Sequence, residues 1–295
     1  MHRPVLLNEV LSIFNPQPGE KYVDATINGG GHATAILERI GPKGKLLGID
    51  WDCALIAKLK DKSKKTKNLV LECGNYADIK SIARKYSLDK IDGILFDLGF
   101  SSHQLEESGR GFSFLRHEPL DMRYNIYENT LTASEIINTW PRKAIEDILR
   151  RFGEERFAGR IAAGIIRARN SKRVSASDEL ADIVGRCVPG IRRGRIHPAT
   201  RTFQALRIAV NHEMDNLGQG LRDSAALLKP QGKLVIISFH SLEDRMVKIF
   251  LKEKQKEGVL TLLTKKPVAA DAAEIRVNPR ARSAKLRAAL ITSNQ

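Results

Sequence analysis

The stretch Tyr22-Val-Asp-Ala-Thr-Ile-Asn-Gly-Gly-Gly-His32 decides how the chain is read. Tyr22–Ile27 is a short β-branched run that ends in three consecutive glycines, and His32–Ile40 follows as an amphipathic helix closed by Gly41-Pro42. Strand, glycine turn and helix in that order make the opening of a βαβ unit. The pattern continues. Lys45–Asp50, Leu69–Cys73 and Ile91–Asp97 read as second, third and fourth strands, with a basic helix from Cys53 to about Lys65 between the second and the third. The expectation is an α/β fold with a parallel sheet whose carboxyl-end loops carry the chemistry.

From Ser108 to about His197 the strand signal stops. Thr132-Ala-Ser-Glu135 has capping-box spacing, and Pro141 can open a helix in which Ile145, Ile148, Leu149 and Phe152 share one face. Phe157, Ile161 and Ile165 form another stripe, and Ser175-Ala-Ser-Asp178 is a further cap ahead of Leu180, Ile183 and Val184. This segment is expected to be a helical insert that could close over a substrate. From Thr202 a helix is expected to run towards Leu228, after which Lys233–Ser238 is too apolar to be anything but a buried fifth strand. The predicted division is therefore 1–107, the first part of the core, 108–197, the insert, and 198–295, the second part of the core with a basic tail.

The glycine loop discriminates between cofactor classes. A dinucleotide fingerprint started at Gly29 and Gly31 requires glycine at position 34, where Thr34 stands, and no P-loop is present. A nucleoside without a pyrophosphate fits better. Asp50 ends the second strand, where a carboxylate can accept hydrogen bonds from ribose hydroxyls; its competing role is to cap the helix that begins near Asp52. Tyr76 reads equally well as an adenine contact and as a core aromatic. Asp97 opens the polar loop Asp97-Leu-Gly-Phe-Ser-Ser-His-Gln104 above the sheet. After the fifth strand, Glu243 and Asp244 fit the first turn of a helix, which leaves His240 as a candidate for substrate contact. No metal site is legible, and the absence of a GxSxG elbow speaks against a hydrolase.

The 295 residues carry a formal charge of +15, which favours a polyanionic partner. Six arginines and no acid lie between Arg186 and Arg207, and Asn278–Arg287 is basic again. Arg192, Arg193 and Arg195 are the candidates for phosphate contact, since the planar guanidinium suits phosphate and base edges. Cys53, Cys73 and Cys187 form no CxxC pair, so neither a zinc knuckle nor a disulfide framework is expected, and a reducing cytosol fits best. No apolar run approaches the roughly 20 residues of a membrane span, so a cytoplasmic protein is expected.

Taken together the motifs resemble the bacterial S-adenosylmethionine-dependent cytosine-N4 methyltransferases of small-subunit ribosomal RNA, the MraW type. The matching blocks are His2–Glu9, Asp24–His32, Asp92–Gln104, Arg110–Phe114, Pro119–Arg123, Gly153–Arg156, Thr202–Ile208, Val235–Arg245 and Asn278–Arg287, in order along nearly the whole chain. The resemblance implies a Rossmann-like class I methyltransferase core with an inserted all-helical domain, acting on a cytosine in the decoding region of 16S ribosomal RNA. It also implies S-adenosylmethionine contacts from Gly30, Gly31, His32, Asp50, Tyr76, Asp97 and Gln104, with Asp97 or its neighbouring carbonyls the expected acceptor for the reacting amine. The expected partner is the RNA, free or in the small ribosomal subunit, and a homodimer stays open. Two departures from the family pattern stand out: Tyr124-Asn125 after Leu120-Asp-Met-Arg123, and Ile27-Asn28 in the glycine loop. The alternatives are a same-fold methyltransferase acting on another nucleic-acid or protein amine, a non-catalytic ribosome assembly factor and, more remotely, a nicotinamide oxidoreductase.

Overall fold

The computed structural model describes residues 4–99, 108–189 and 197–292. The chain divides into two compact units, one made of Met1–Ser101 with Met214–Gln295 and the other of Ser102–Glu213.

The first unit begins with α1 (Leu7–Phe14), followed by β1 (Lys21–Asp24), α2 (Gly31–Ile40), β2 (Lys45–Asp50), α3 (Cys53–Lys62), β3 (Leu69–Cys73), α4 (Ile79–Lys85) and β4 (Ile91–Asp97). Its second part supplies α10 (Glu213–Leu227), β5 (Leu228–Ser238), α11 (Ser241–Lys256), β6 (Leu260–Leu262), α12 (Ala272–Val277) and β7 (Lys285–Ile291). The seven strands are ordered β3-β2-β1-β4-β5-β7-β6, with β1 to β5 parallel and β7 antiparallel to both its neighbours. This is the expected Rossmann-like arrangement. The strand order reverses between β1 and β4, the place where open α/β sheets bind ligands beyond their carboxyl ends. Two apolar clusters cover the sheet, one including Ile94, Phe96 and Ile236, the other Leu46, Leu95 and Val235.

The second unit holds α5 (Ala133–Thr139), α6 (Arg142–Gly153), α7 (Ala158–Ser171), α8 (Ser177–Cys187) and α9 (Ala199–Asn211). Thr132 caps α5 by accepting the Glu135 N–H at 3.1 Å, as its spacing suggests. The cap of α8 falls one residue later than expected: Ala176 is the capping position, and the Glu179 carboxylate, not Asp178, accepts the N–H groups of Ser175 and Ala176. Tyr124 stacks on Phe112 and donates its hydroxyl hydrogen to Glu213 at 3.1 Å, while buried Asn125 accepts the Tyr127 N–H. The Tyr124-Asn125 departure is thus absorbed by packing within this unit.

Several expectations are corrected. The single helix expected from Thr202 to Leu228 is two helices, broken at His212, whose φ of 51° is left-handed. Because α9 packs on α6, it belongs to the helical unit, and the chain returns to the sheet-bearing unit at Met214 and not at 198. Arg207 belongs to no phosphate-binding patch. It is buried, and its guanidinium donates to both oxygens of Glu213 at 2.6 and 2.8 Å. The expected basic tail likewise ends in β7, where Arg287 is buried and donates to Asp244 at 2.7 Å, with Lys285 3.3 Å from the same carboxylate. Cys53 and Cys73, expected to be unpaired, are bonded to each other. No helix among the described residues is long and apolar enough to cross a membrane.

Candidate active site

The carboxyl ends of three adjacent strands each present a buried acid: Asp24 from β1, Asp50 from β2 and Asp97 from β4. Three carboxylates in one desolvated region repel one another and lose hydration. Burial pushes Asp97 up to about 7, with backbone hydrogen bonding from Gly99 pulling the other way and the charge of Glu243 adding to the rise. Asp24 is raised well above the usual carboxylate range by burial and then by the neighbouring charge of Asp97, with a smaller contribution from Asp50. Such a cluster favours a cation.

The glycine loop is built to bring backbone close to that region. Gly30 caps α2 with φ 77°, a left-handed conformation that suits glycine. Gly31 follows in a tight spot, since a Cβ there would stand 3.1 Å from the Pro4 ring and would need it to give way. Asn28 also lies in the left-handed region, at φ 48°, which asparagine tolerates better than most residues. Its N–H donates to Asp50 Oδ2 at 3.1 Å and its side-chain amide donates to the Asp97 carbonyl at 3.0 Å. Thr26 Oγ1 in turn accepts the Asp97 N–H at 2.6 Å.

Asp50 does not cap α3. Asp52 does, accepting from Ala54 and Leu55, while Asp50 Oδ1 accepts the Asp52 N–H at 2.9 Å. The two Asp50 oxygens thus accept the backbone N–H groups of Asn28 and Asp52. Tyr76 starts a one-turn helix capped by Asn75, and its half-buried ring meets Phe96 edge to face at 5.5 Å. His32 is buried in the first turn of α2, its Nε2 3.7 Å from Asp97 Oδ2. The other oxygen of Asp97, Oδ1, is buried and has no hydrogen-bond partner among the described residues. A fully buried acceptor left open in this way is where a ligand donor belongs.

The structure gathers Gly30, Gly31, His32, Asp50, Tyr76 and Asp97 around the β1/β4 switch point. Gln104, Arg192, Arg193 and Arg195 lie outside the described residues. His240 is engaged as the cap of α11: its Nδ1 accepts the Glu243 N–H at 3.3 Å and its Nε2 stands 3.0 Å from Glu243 Oε1. The Glu243 carboxylate completes the exchange by accepting the N–H groups of Phe239 and His240. As expected, Glu243 and Asp244 form the first turn of that helix. Sequence reasoning missed Asp24 and Asn28 as site residues. The available signal for Asp24 was its place at the end of the first strand, directly before the glycine loop.

The donor set fits S-adenosylmethionine. The molecule carries sulfonium and ammonium charges, which buried acids favour, and no pyrophosphate. Ribosomal RNA small subunit methyltransferase H of Thermomicrobium roseum is 44% identical over 98% of this chain and 93% of its own length. The protein of the same name from Persephonella marina is 44% identical over 98% of both chains, and that of Clostridium botulinum strain Kyoto is 40% identical over 97% of both. A solved putative rRNA-methylase from Clostridium thermocellum is similar with a TM-score of 0.49 at 11% identity over the whole of both chains. The MraW methylase family model matches residues 1–292, so that the glycine loop, the three strand-end acids and the polar loop after β4 all fall within it. With relatives at 40–44% identity along nearly its entire length and a family match of that extent, the chain belongs to the MraW methylase family.

Proposed function

We propose that this protein is a cytoplasmic enzyme that methylates the N4 amine of a cytosine in the decoding region of 16S ribosomal RNA, with S-adenosylmethionine as cofactor. Family membership over the whole chain supports the reaction class. The observation that carries the site is the open, buried Oδ1 of Asp97 beside two further buried carboxylates.

When bound, S-adenosylmethionine supplies a methyl group on an electrophilic sulfonium. The residues supply the rest. Gly30 and Gly31 let the backbone approach the ligand, and Asp50, at the end of the second strand, accepts from the ribose hydroxyls. Tyr76, fixed on one edge by Phe96, packs against adenine with its remaining surface. Gln104 is retained as a cofactor contact on the family resemblance.

A cytosine amine is a weak nucleophile because its lone pair is delocalised into the ring. Asp97 Oδ1 accepts one N–H, drawing electron density towards nitrogen, and takes the proton released as the methyl group arrives. Thr26 and Asn28 hold the Asp97 backbone from two sides, so its carboxylate is fixed in place before substrate arrives. Because a paired base is inaccessible, the target nucleotide is unpaired or turned out of its helix. Arg192, Arg193 and Arg195 contact flanking phosphates. His240 caps α11 through Nδ1, and its buried Nε2, without a hydrogen-bond partner among the described residues, keeps it as a candidate substrate contact.

The test is incubation with labelled S-adenosylmethionine and small ribosomal subunits from cells lacking the protein, followed by nucleoside mass spectrometry. Label in N4-methylcytidine is the expected result. Cofactor binding without labelled RNA would overturn the substrate assignment.

A further inference from the structure

Cys53 opens α3 and Cys73 ends β3, 20 positions later. Sequence distance conceals their proximity. Parallel pairing sets Asp50 of β2 opposite Cys73 of β3, and the short turn through Trp51 and Asp52 brings Cys53 back over that strand end. The two Cα atoms are 5.0 Å apart, within the range a disulfide spans without moving backbone, and the sulfurs are bonded. Both residues are half-exposed, whereas the third cysteine, Cys187, is buried and free.

The position of the bond gives it a role. Asp50 lies three residues before Cys53, and its carbonyl accepts the N–H of Gly74, the residue after Cys73, at 3.0 Å. Tyr76 follows two residues later in a turn capped by Asn75. The bond therefore staples the turn that carries the ribose acid to the turn that carries the adenine-facing ring. Without it, their spacing depends on the β2–β3 ladder and the hydrogen bond between Asp50 and Gly74.

We propose that Cys53 and Cys73 form a reversible redox-modification site whose state sets the affinity of the chain for its cofactor. This rests on the reading of Asp50 and Tyr76 as nucleoside contacts. As a disulfide the pair preorganises the two turns, and as a dithiol it releases them, so that binding must order them. Reduction proceeds by thiol–disulfide exchange: a small dithiol attacks one sulfur, forms a mixed disulfide and leaves as its own disulfide. Its two electrons and two protons end on Cys53 and Cys73 as thiols. Oxidation is the reverse, with a low-molecular-weight disulfide as acceptor.

The full-length protein, equilibrated in glutathione buffers from reducing to oxidising, is quenched with an alkylating reagent and mapped by mass spectrometry. Cys53 and Cys73 are expected to lose alkylation together as the buffer becomes oxidising. Calorimetry on the same samples is expected to show S-adenosylmethionine affinity at least about threefold weaker in the reduced form. Cys53→Ser and Cys73→Ser should each abolish the redox dependence and sit near the reduced value. Free thiols at both positions in the most oxidising buffer would overturn the site. A bond that forms while affinity stays equal in both states would overturn the coupling. Asp50→Asn separates the underlying reading: unchanged affinity in that variant would refute the ribose contact and the coupling with it, while the alkylation map would still report the bond.

Discussion

The side-chain amide of Asn28 donates to the backbone carbonyl of Asp97 at 3.0 Å, joining the loop after β1 to the end of β4. The bond crosses the switch point of the sheet, and it links a residue that departs from the family pattern to the acid assigned to the chemistry. Removing the amide leaves a buried carbonyl short of a partner, at a cost of about 1–3 kcal/mol. Asn28→Ala is expected to lose stability of that order and to weaken turnover more than cofactor binding. Asn28→Gly keeps the left-handed backbone at φ 48° while also removing the amide, so comparing the two variants by thermal unfolding separates backbone strain from the missing bond.

Asp97 sets the pH response. Burial raises it to about 7, so the carboxylate that accepts a proton is populated above that pH and lost below it. The rate constant kcat/KM is expected to rise as pH increases through about 7 and then level off. Binding a cation favours the ionised form, so the midpoint for kcat lies lower than that for kcat/KM. Asp97→Asn should lower kcat by roughly 10²- to 10⁴-fold and flatten the profile; an Asn variant with full turnover would remove the carboxylate from the chemistry.

Gly48, in β2, leaves no room for a side chain, because a Cβ there would collide with Ile27 Cδ1. Gly48→Ala is expected to destabilise the sheet-bearing unit by about 1–3 kcal/mol through overpacking. Adding Ile27→Val should recover part of that loss in thermal unfolding.

Within the helical unit, Arg207 and Glu213 form a buried, doubly hydrogen-bonded pair. Arg207→Met alone strands a buried carboxylate and should cost about 3–5 kcal/mol. The double variant Arg207→Met with Glu213→Leu is expected to be more stable than Arg207→Met alone, a non-additivity that a double-mutant cycle would measure.

Neutralising Arg192, Arg193 and Arg195 together is expected to weaken RNA affinity while sparing cofactor binding. The slope of log affinity against log salt should flatten by roughly 0.7–0.9 for each phosphate that no longer meets a guanidinium. Unchanged RNA affinity would refute their assignment.

The first four strands were legible because they are apolar runs that stop at glycine or an acid. Ile91–Asp97 and Lys45–Asp50 match the expected bounds residue for residue. β7 was not legible: Lys285 and Arg287 made it read as a basic tail, and only the position of Asp244 on α11 shows what neutralises them. The break between α9 and α10 was hidden because His212 takes the left-handed conformation with neither glycine nor proline to mark it. At the site, Asp50 could be read from its position, yet its freedom from capping depended on Asp52 doing that work. The bond between Cys53 and Cys73 depends on which strands are neighbours, which no local pattern records.

The placement of β7 between β5 and β6 has a consequence for synthesis on the ribosome. Residues 285–291 close the edge of β5, so for as long as they remain in the exit tunnel that strand offers an open row of backbone donors and acceptors. The helical unit, continuous in sequence, is complete by Glu213 and can fold while the sheet still waits. A chain cut short before residue 285 would therefore have its helical unit formed and the edge of β5 exposed, a natural substrate for chaperones.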